Sequence, residues 1–358
     1  AAVYTKNKVQ AAPIQVCREH LADGSAKAVV LNSGNANACT GEGGLANARR
    51  MCSLTAEMLG LDAAEVLVCS TGVIGVQLPM EAIETGIPQA AEVLSGNGGK
   101  DAAEAIMTTD TVPKTFAVEV EIAGVKVRIW GMAKGSGMIA PNMATMLSVI
   151  TTDADIAPEL LRKQLGLAVR RSFNCITVDG DMSTNDTVIV LANGASGAPA
   201  IEGSGEAADD FYPGLEMVCR ELARLIARDG EGATKLVSIR VNGAGNEAEA
   251  RQVGLSVANS NLVKTAVFGR DPNWGRILCA VGYAGVDIDP DKVAVSLCGT
   301  PIYGAGAGLD FDKDRLIEAM GAEDIPIEID LGQGLEHAEI FTCDFSYDYV
   351  RINAEYTT

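Results

Sequence analysis

Residues 134–147 read KGSGMIAPNMATML. Gly135, Gly137 and Pro141 crowd the approach to Ala144-Thr145, and glycine and proline supply backbone shapes that a regular strand or helix does not hold. On composition this is a tight loop ahead of a strand over Met146–Ile150. A second reading starts from Thr145. Its hydroxyl, held beside the preceding carbonyl, can attack it and convert the Ala144-Thr145 peptide to an ester that water cleaves, with loop strain raising the ground state. The new chain begins at Thr145, and its free α-amine, with a reference pKa of about 7.7 to 8.0, can accept the hydroxyl proton near neutral pH. Such a base is needed because His20 and His337 are the only histidines; a His-rich metal site is excluded, and a Ser-His-Asp triad has two candidates to draw on.

Outward from this stretch the pattern is mixed α/β. Phe116–Trp130 alternates apolar and polar residues around Ala123-Gly124, the signature of a hairpin with one wet face. Before it, short apolar strands at Ala28–Leu31 and Val66–Cys69 alternate with amphipathic stretches such as Leu45–Leu59, ended by Gly60. After it, helices are expected over Pro158–Arg171 and Leu215–Arg228, with a Gly/Ala/Ser-rich surface loop at Asn193–Gly205 between them. A strand at Leu236–Val241 precedes a break at Asn242–Asn246; beyond it come a helical Glu247–Phe268 and strands near Val293–Leu297 and Ile327–Leu331. We therefore expect a first domain at 1–241 and a smaller α/β domain at 242–358.

With 28 basic against 47 acidic side chains, the net charge of −19 repels nucleic acid and anionic lipid. No run approaches the ~18 consecutive apolar residues of a membrane span. Nine cysteines, scattered and odd in number, read as reduced thiols, and the chain reads as cytoplasmic.

The stretch KGSGMIAPNMATML resembles the processing segment of the ornithine acetyltransferases, also called glutamate N-acetyltransferases. The resemblance continues through NSGNANACTG (32–41), CSTGVIG (69–75), AIMTTDT (105–111), DGEGATK (229–235), GRDPNWGRI (269–277) and YVRINAEYTT (349–358), nearly the whole chain in the family's order. It implies an N-terminal-nucleophile-like αββα layered core with a smaller C-terminal α/β domain. Cleavage between Ala144 and Thr145 would give α and β chains that associate as an α2β2 heterotetramer. Members of that family usually carry further residues ahead of the segment resembling AAVYTKNKV.

The implied reaction moves the acetyl group of N2-acetylornithine to glutamate by ping-pong kinetics, with Thr145 as nucleophile and acyl carrier. Thr71 and Gly72 are implied as the oxyanion hole; an STG directly after the Val66–Cys69 strand can indeed present a hydroxyl and a backbone N–H at a strand end. Lys134 can neutralise a substrate carboxylate and Glu231 can meet the ornithine ammonium. Thr108, Asn353 and Thr358 are implied as further substrate contacts. No metal and no cofactor are expected. Some members also draw acetyl from acetyl-CoA, and no motif here decides that. The rival reading is a self-processing N-terminal-nucleophile aminopeptidase or amidase, with water as acceptor.

Overall fold

The computed structural model describes residues 1–140 and 146–355 of the 358-residue chain. The chain opens with β1 (Ala2–Tyr4), α1 (Ala12–His20), β2 (Ala28–Asn35), α2 (Gly41–Leu59), β3 (Val66–Val73), α3 (Met80–Glu92) and α4 (Gly99–Ala105). A hairpin, β4 (Lys114–Ile122) and β5 (Val125–Lys134), leads to β6 (Leu147–Thr152), α5 (Pro158–Arg171), β7 (Thr187–Ala192) and α6 (Glu206–Arg228). There follow β8 (Leu236–Ala244), α7 (Glu247–Ala258), α8 (Asn261–Phe268), α9 (Trp274–Gly282), β9 (Ala294–Leu297), β10 (Thr300–Gly304) and β11 (Ala307–Gly308). The described chain ends with α10 (Lys313–Ala319), β12 (Asp324–Asp330), β13 (Glu336–Cys343) and α11 (Tyr347–Glu355). No helix among the described residues is long and apolar enough to cross a membrane.

The first sheet has the order β1-β7-β6-β5-β4. Its hairpin turns at Ala123-Gly124, both with positive φ, so the strand twist is matched by a tight two-residue loop. Inward-facing Ile129, Ile150, Val188 and Val190 meet the buried stripe of α6, which includes Phe211, Leu215, Val218, Leu222 and Ile226, and the Leu161, Leu165 and Ala168 stripe of α5. Close approach is set by Gly131, where an added Cβ would lie 2.9 Å from both Leu222 Cδ1 and Val218 Cγ1. The opposite side contributes Leu147 and Ile189 to a core with Cys17, Met51, Cys52 and Leu67, where α1, α2 and the parallel pair β2–β3 pack.

The second sheet has the order β11-β10-β9-β12-β8-β13. In β12 the residues Ile325, Ile327 and Ile329 are buried while Asp324, Pro326, Glu328 and Asp330 are exposed, a period of two that gives the sheet one dry face. α7 covers that face against β8 and β13 through Val253, Val257 and Gly254, whose missing Cβ makes room for Ile340.

The expected boundary after Val241 falls inside β8. β8 pairs in parallel with β12 and antiparallel with β13, so it lies inside the second sheet and the chain passes between sheets before Leu236. The expected helix Glu247–Phe268 is two helices, because Ser260 caps α8 by accepting the Val263 N–H at 3.3 Å. α6 begins at Glu206, earlier than the expected Leu215, and β2 and β3 extend through Asn35 and Val73.

Leu222→Ala removes the side chain that fills the space left by Gly131, and should lower stability by about 2 to 5 kcal/mol in chemical denaturation.

Candidate active site

The ends of β2, β3 and β5 converge. β2 and β3 run parallel and in register to Gly34 opposite Gly72. Gly72 has φ 131°, and a Cβ there would lie 2.2 Å from the Gly34 carbonyl carbon, so the strand end is closed to any other residue. Beside it Thr71 is buried, and its Oγ1 accepts a hydrogen bond from Lys134 Nζ at 3.2 Å. Because Lys134 can only donate, the Thr71 hydroxyl keeps its own proton for another acceptor.

Lys134 ends β5 and is 3% exposed. Its Nζ also donates to Thr108 Oγ1 at 2.8 Å. Burial pushes the ammonium below its ordinary pKa; Asp110 opposes that, Lys114 adds to it, and Asp186 and Glu231 oppose it from further positions. Asp110 is the neighbouring hub: its carboxylate accepts from Thr108 N at 3.1 Å, Gly135 N at 2.6 Å and Lys114 Nζ at 2.6 Å. Burial works to raise this carboxyl, but Lys134 and Lys114 together hold it below the usual carboxylate range.

After β5 the backbone bends sharply. Gly135 has φ 149° and Met138 has φ 55°, a left-handed position unusual for a side-chain-bearing residue. Asp179 compensates by accepting from the Met138 and Ile139 N–H groups at 2.6 and 2.9 Å, and burial pushes its carboxyl pKa up. The Glu231 N–H donates to Ser136 O at 2.8 Å, which lays its carboxylate over Gly137, where a Cβ would lie 2.4 Å from Glu231 Cδ. Asn353, from α11, donates Nδ2 to Glu231 Oε2 at 2.8 Å. On the C-terminal side of residues 141–145, Asp186 Oδ1 accepts the Met146 N–H at 3.0 Å, and burial pushes this carboxyl well above its ordinary range.

Six residues singled out from sequence, Thr71, Gly72, Thr108, Lys134, Glu231 and Asn353, line one open cleft of about 630 Å³ counted with the solvent at its mouth. Ala144, Thr145 and Thr358 lie outside the described residues. The cleft can place a hydroxyl and a backbone N–H at one strand end, a buried cation beside them and a carboxylate–amide pair opposite.

Sequence reasoning missed Asp110, Lys114, Asp179 and the Ser183-Thr184-Asn185 edge of the cleft, where Asn185 Nδ2 donates to Ser70 O at 2.6 Å. A signal was present: residues 176–187, ITVDGDMSTNDT, crowd small polar and acidic side chains just ahead of β7, as AIMTTDT does ahead of β4.

Several separate segments thus bring charged and hydroxyl side chains to one cleft at strand ends, the arrangement of an enzyme that handles small charged molecules. The chain belongs to the ArgJ family, whose model matches residues 1–358. The arginine biosynthesis bifunctional protein ArgJ of Caldanaerobacter subterraneus subsp. tengcongensis is 50% identical over 100% of this chain and 90% of that protein. The glutamate N-acetyltransferase of Methanothermobacter thermautotrophicus is 48% identical over 100% of this chain and 90% of its own length. A crystal structure of the arginine biosynthesis bifunctional protein ArgJ of Bacillus halodurans aligns with a TM-score of 0.58 at 40% identity, covering 59% of this chain and 100% of that one.

Gly72→Ala should splay β2 from β3 and remove activity, seen as a lost cooperative transition or a lowered melting temperature together with no detectable acetyl transfer.

Proposed function

We propose that the cleft carries out ornithine acetyltransfer to glutamate, for arginine biosynthesis, through an acetyl ester on Thr145. Membership of the ArgJ family makes the chain an acyltransferase of this class, an ornithine acetyltransferase and glutamate N-acetyltransferase. The route through the residues is our reading, and the observation that carries it is the Lys134–Thr71 hydrogen bond at the closed strand end of Gly72.

In this route the precursor cleaves itself at Ala144-Thr145. The α-carboxylate of N2-acetylornithine meets Lys134, with Thr108 beside it, and the side-chain ammonium meets Glu231. Thr145 Oγ attacks the acetyl carbonyl while its own α-amine takes the hydroxyl proton. The tetrahedral oxyanion is held by the Thr71 hydroxyl, free to donate because Lys134 satisfies its oxygen, and by the Gly72 N–H. The amine returns the proton to the leaving ornithine nitrogen. Glutamate then enters, and its α-amine attacks the ester to give N-acetylglutamate and free Thr145. The Glu231–Asn353 pair offers an acceptor to the ornithine ammonium and an amide donor to the glutamate side-chain carboxylate, so one pocket serves both signs. Thr358 is a further substrate contact in this reading.

The packing supports an N-terminal-nucleophile-like αββα core, with α5 and α6 on one side of the first sheet and the β2–β3 pair, α1 and α2 on the other. It supports two units that divide ahead of Leu236. The Bacillus halodurans chain, matched over its whole length, covers 59% of this one, close to the share running from Thr145 to Thr358, and that supports processing. The cleaved chains would pair as α2β2 in the cytoplasm.

Thr145→Ala should leave a single uncleaved chain in intact mass spectrometry and no ornithine release from N2-acetylornithine; a cleaved, active variant ends the assignment. Thr71→Ala should process and fold yet transfer acetyl on the order of 10²-fold more slowly. Glutamate-independent ornithine release by the parent enzyme would instead favour the amidase.

A further inference from the structure

Beneath the cleft lies a row of four charges of alternating sign, Asp229, Lys114, Asp110 and Lys134, whose side chains are 7%, 0%, 0% and 3% exposed. Lys114 sits between the two carboxylates, with Nζ 2.6 Å from Asp110 Oδ1 and 2.5 Å from Asp229 Oδ2. Asp229 is itself anchored by the Thr111 hydroxyl and N–H. The last link is loose: Lys134 Nζ is 3.9 Å from Asp110 Oδ2, beyond hydrogen-bond reach, and its donors go to the Thr71 and Thr108 hydroxyls. Lys114 and Asp110 do not line the cleft.

A buried carboxylate needs a cation at contact distance. Asp110 has one in Lys114, and so its attraction to Lys134 acts across 3.9 Å without a hydrogen bond. We propose that Lys114 is a positioning residue for the transfer reaction: by engaging Asp110 it keeps Lys134 from closing into an internal ion pair and leaves that ammonium available for the substrate carboxylate. The inference rests on the reading of Lys134 as the carboxylate partner. Without Lys114, the nearest cation to Asp110 is Lys134. The ammonium would be drawn about 1 Å inward, to ordinary ion-pair distance, and every incoming carboxylate would have to compete with Asp110.

Charge state gives an independent handle. Lys134 faces Asp110, Lys114, Asp186 and Glu231. Removing the cation Lys114 raises the Lys134 pKa, and removing the anion Asp110 lowers it further from its ordinary value. The alkaline limb of kcat/KM for N2-acetylornithine should therefore move to higher pH in Lys114→Met and to lower pH in Asp110→Asn. A merely structural role would not move the two limbs in opposite directions.

The experiment is steady-state kinetics of processed Lys114→Met enzyme, its cleavage checked by intact mass, beside Lys134→Met and the parent. Lys114→Met should raise KM for both N2-acetylornithine and glutamate by about tenfold while kcat changes less, the pattern of lost uniform binding. Lys114→Met/Asp229→Asn removes one charge of each sign, restores neutrality and should show the same KM rise if the single variant does not fold. KM values within twofold of the parent in either folded variant, while Lys134→Met raises them, overturn the inference and leave Lys134's role standing; so do limbs that move the same way. An unchanged KM in Lys134→Met removes the reading of Lys134 and this inference with it.

Discussion

The antiparallel pairing of β5 with β6 is the constraint on which the rest depends. It runs from Ile129 opposite Thr152 to Lys134 opposite Leu147, so Lys134 and Leu147 are held face to face by backbone hydrogen bonds of a central strand pair. That pairing sets Lys134, the buried cation of the cleft, at the strand end where β5 meets the start of β6. It also explains the crowding of glycine in the loop. Gly137 passes under the Glu231 carboxylate with no space for a Cβ, and Met138 is held left-handed by two hydrogen bonds to Asp179.

Around this pair the molecule divides its labour between a dry and a charged end. The inward faces of β5 and β6 are closed by α6 across the gap at Gly131. Their site ends open onto side chains that would be costly to bury singly and are therefore buried in company. Thr108 and Gly135 are held through their backbone N–H groups by one carboxylate, that of Asp110, so the α4–β4 connection and the residue after β5 share a single anchor.

Much of this was legible in the sequence where the signal is local. The hairpin at Ala123-Gly124 and the α5 helix follow from period and turn chemistry alone. An STG at a strand end could be read from the residues themselves as a pair of donors, whereas Thr108, Lys134, Glu231 and Asn353 were reached through the family resemblance; all line one cleft. What was not legible is long-range partnership. Lys114 and Asp229 are separated by over a hundred residues, and nothing near either announces the other. The alternation of β8 is the same whichever sheet receives it, so its place between β12 and β13 had to come from the fold. An Asn259-Ser260 cap inside an amphipathic run ended one helix and began another without disturbing the apolar period.

The seam between β5 and β6 has a consequence for durability. Thr71, Gly72, Thr108 and Lys134 precede the Ala144-Thr145 bond, and Glu231 and Asn353 follow it, so the proposed cut there would divide the cleft's own lining between two polypeptides. Their junction is a run of interior ladder hydrogen bonds within one hydrophobic core rather than a surface patch. Separating the halves would mean unravelling the sheet. The working lifetime of such an enzyme at high dilution is then set by its unfolding rate and not by a dissociation constant.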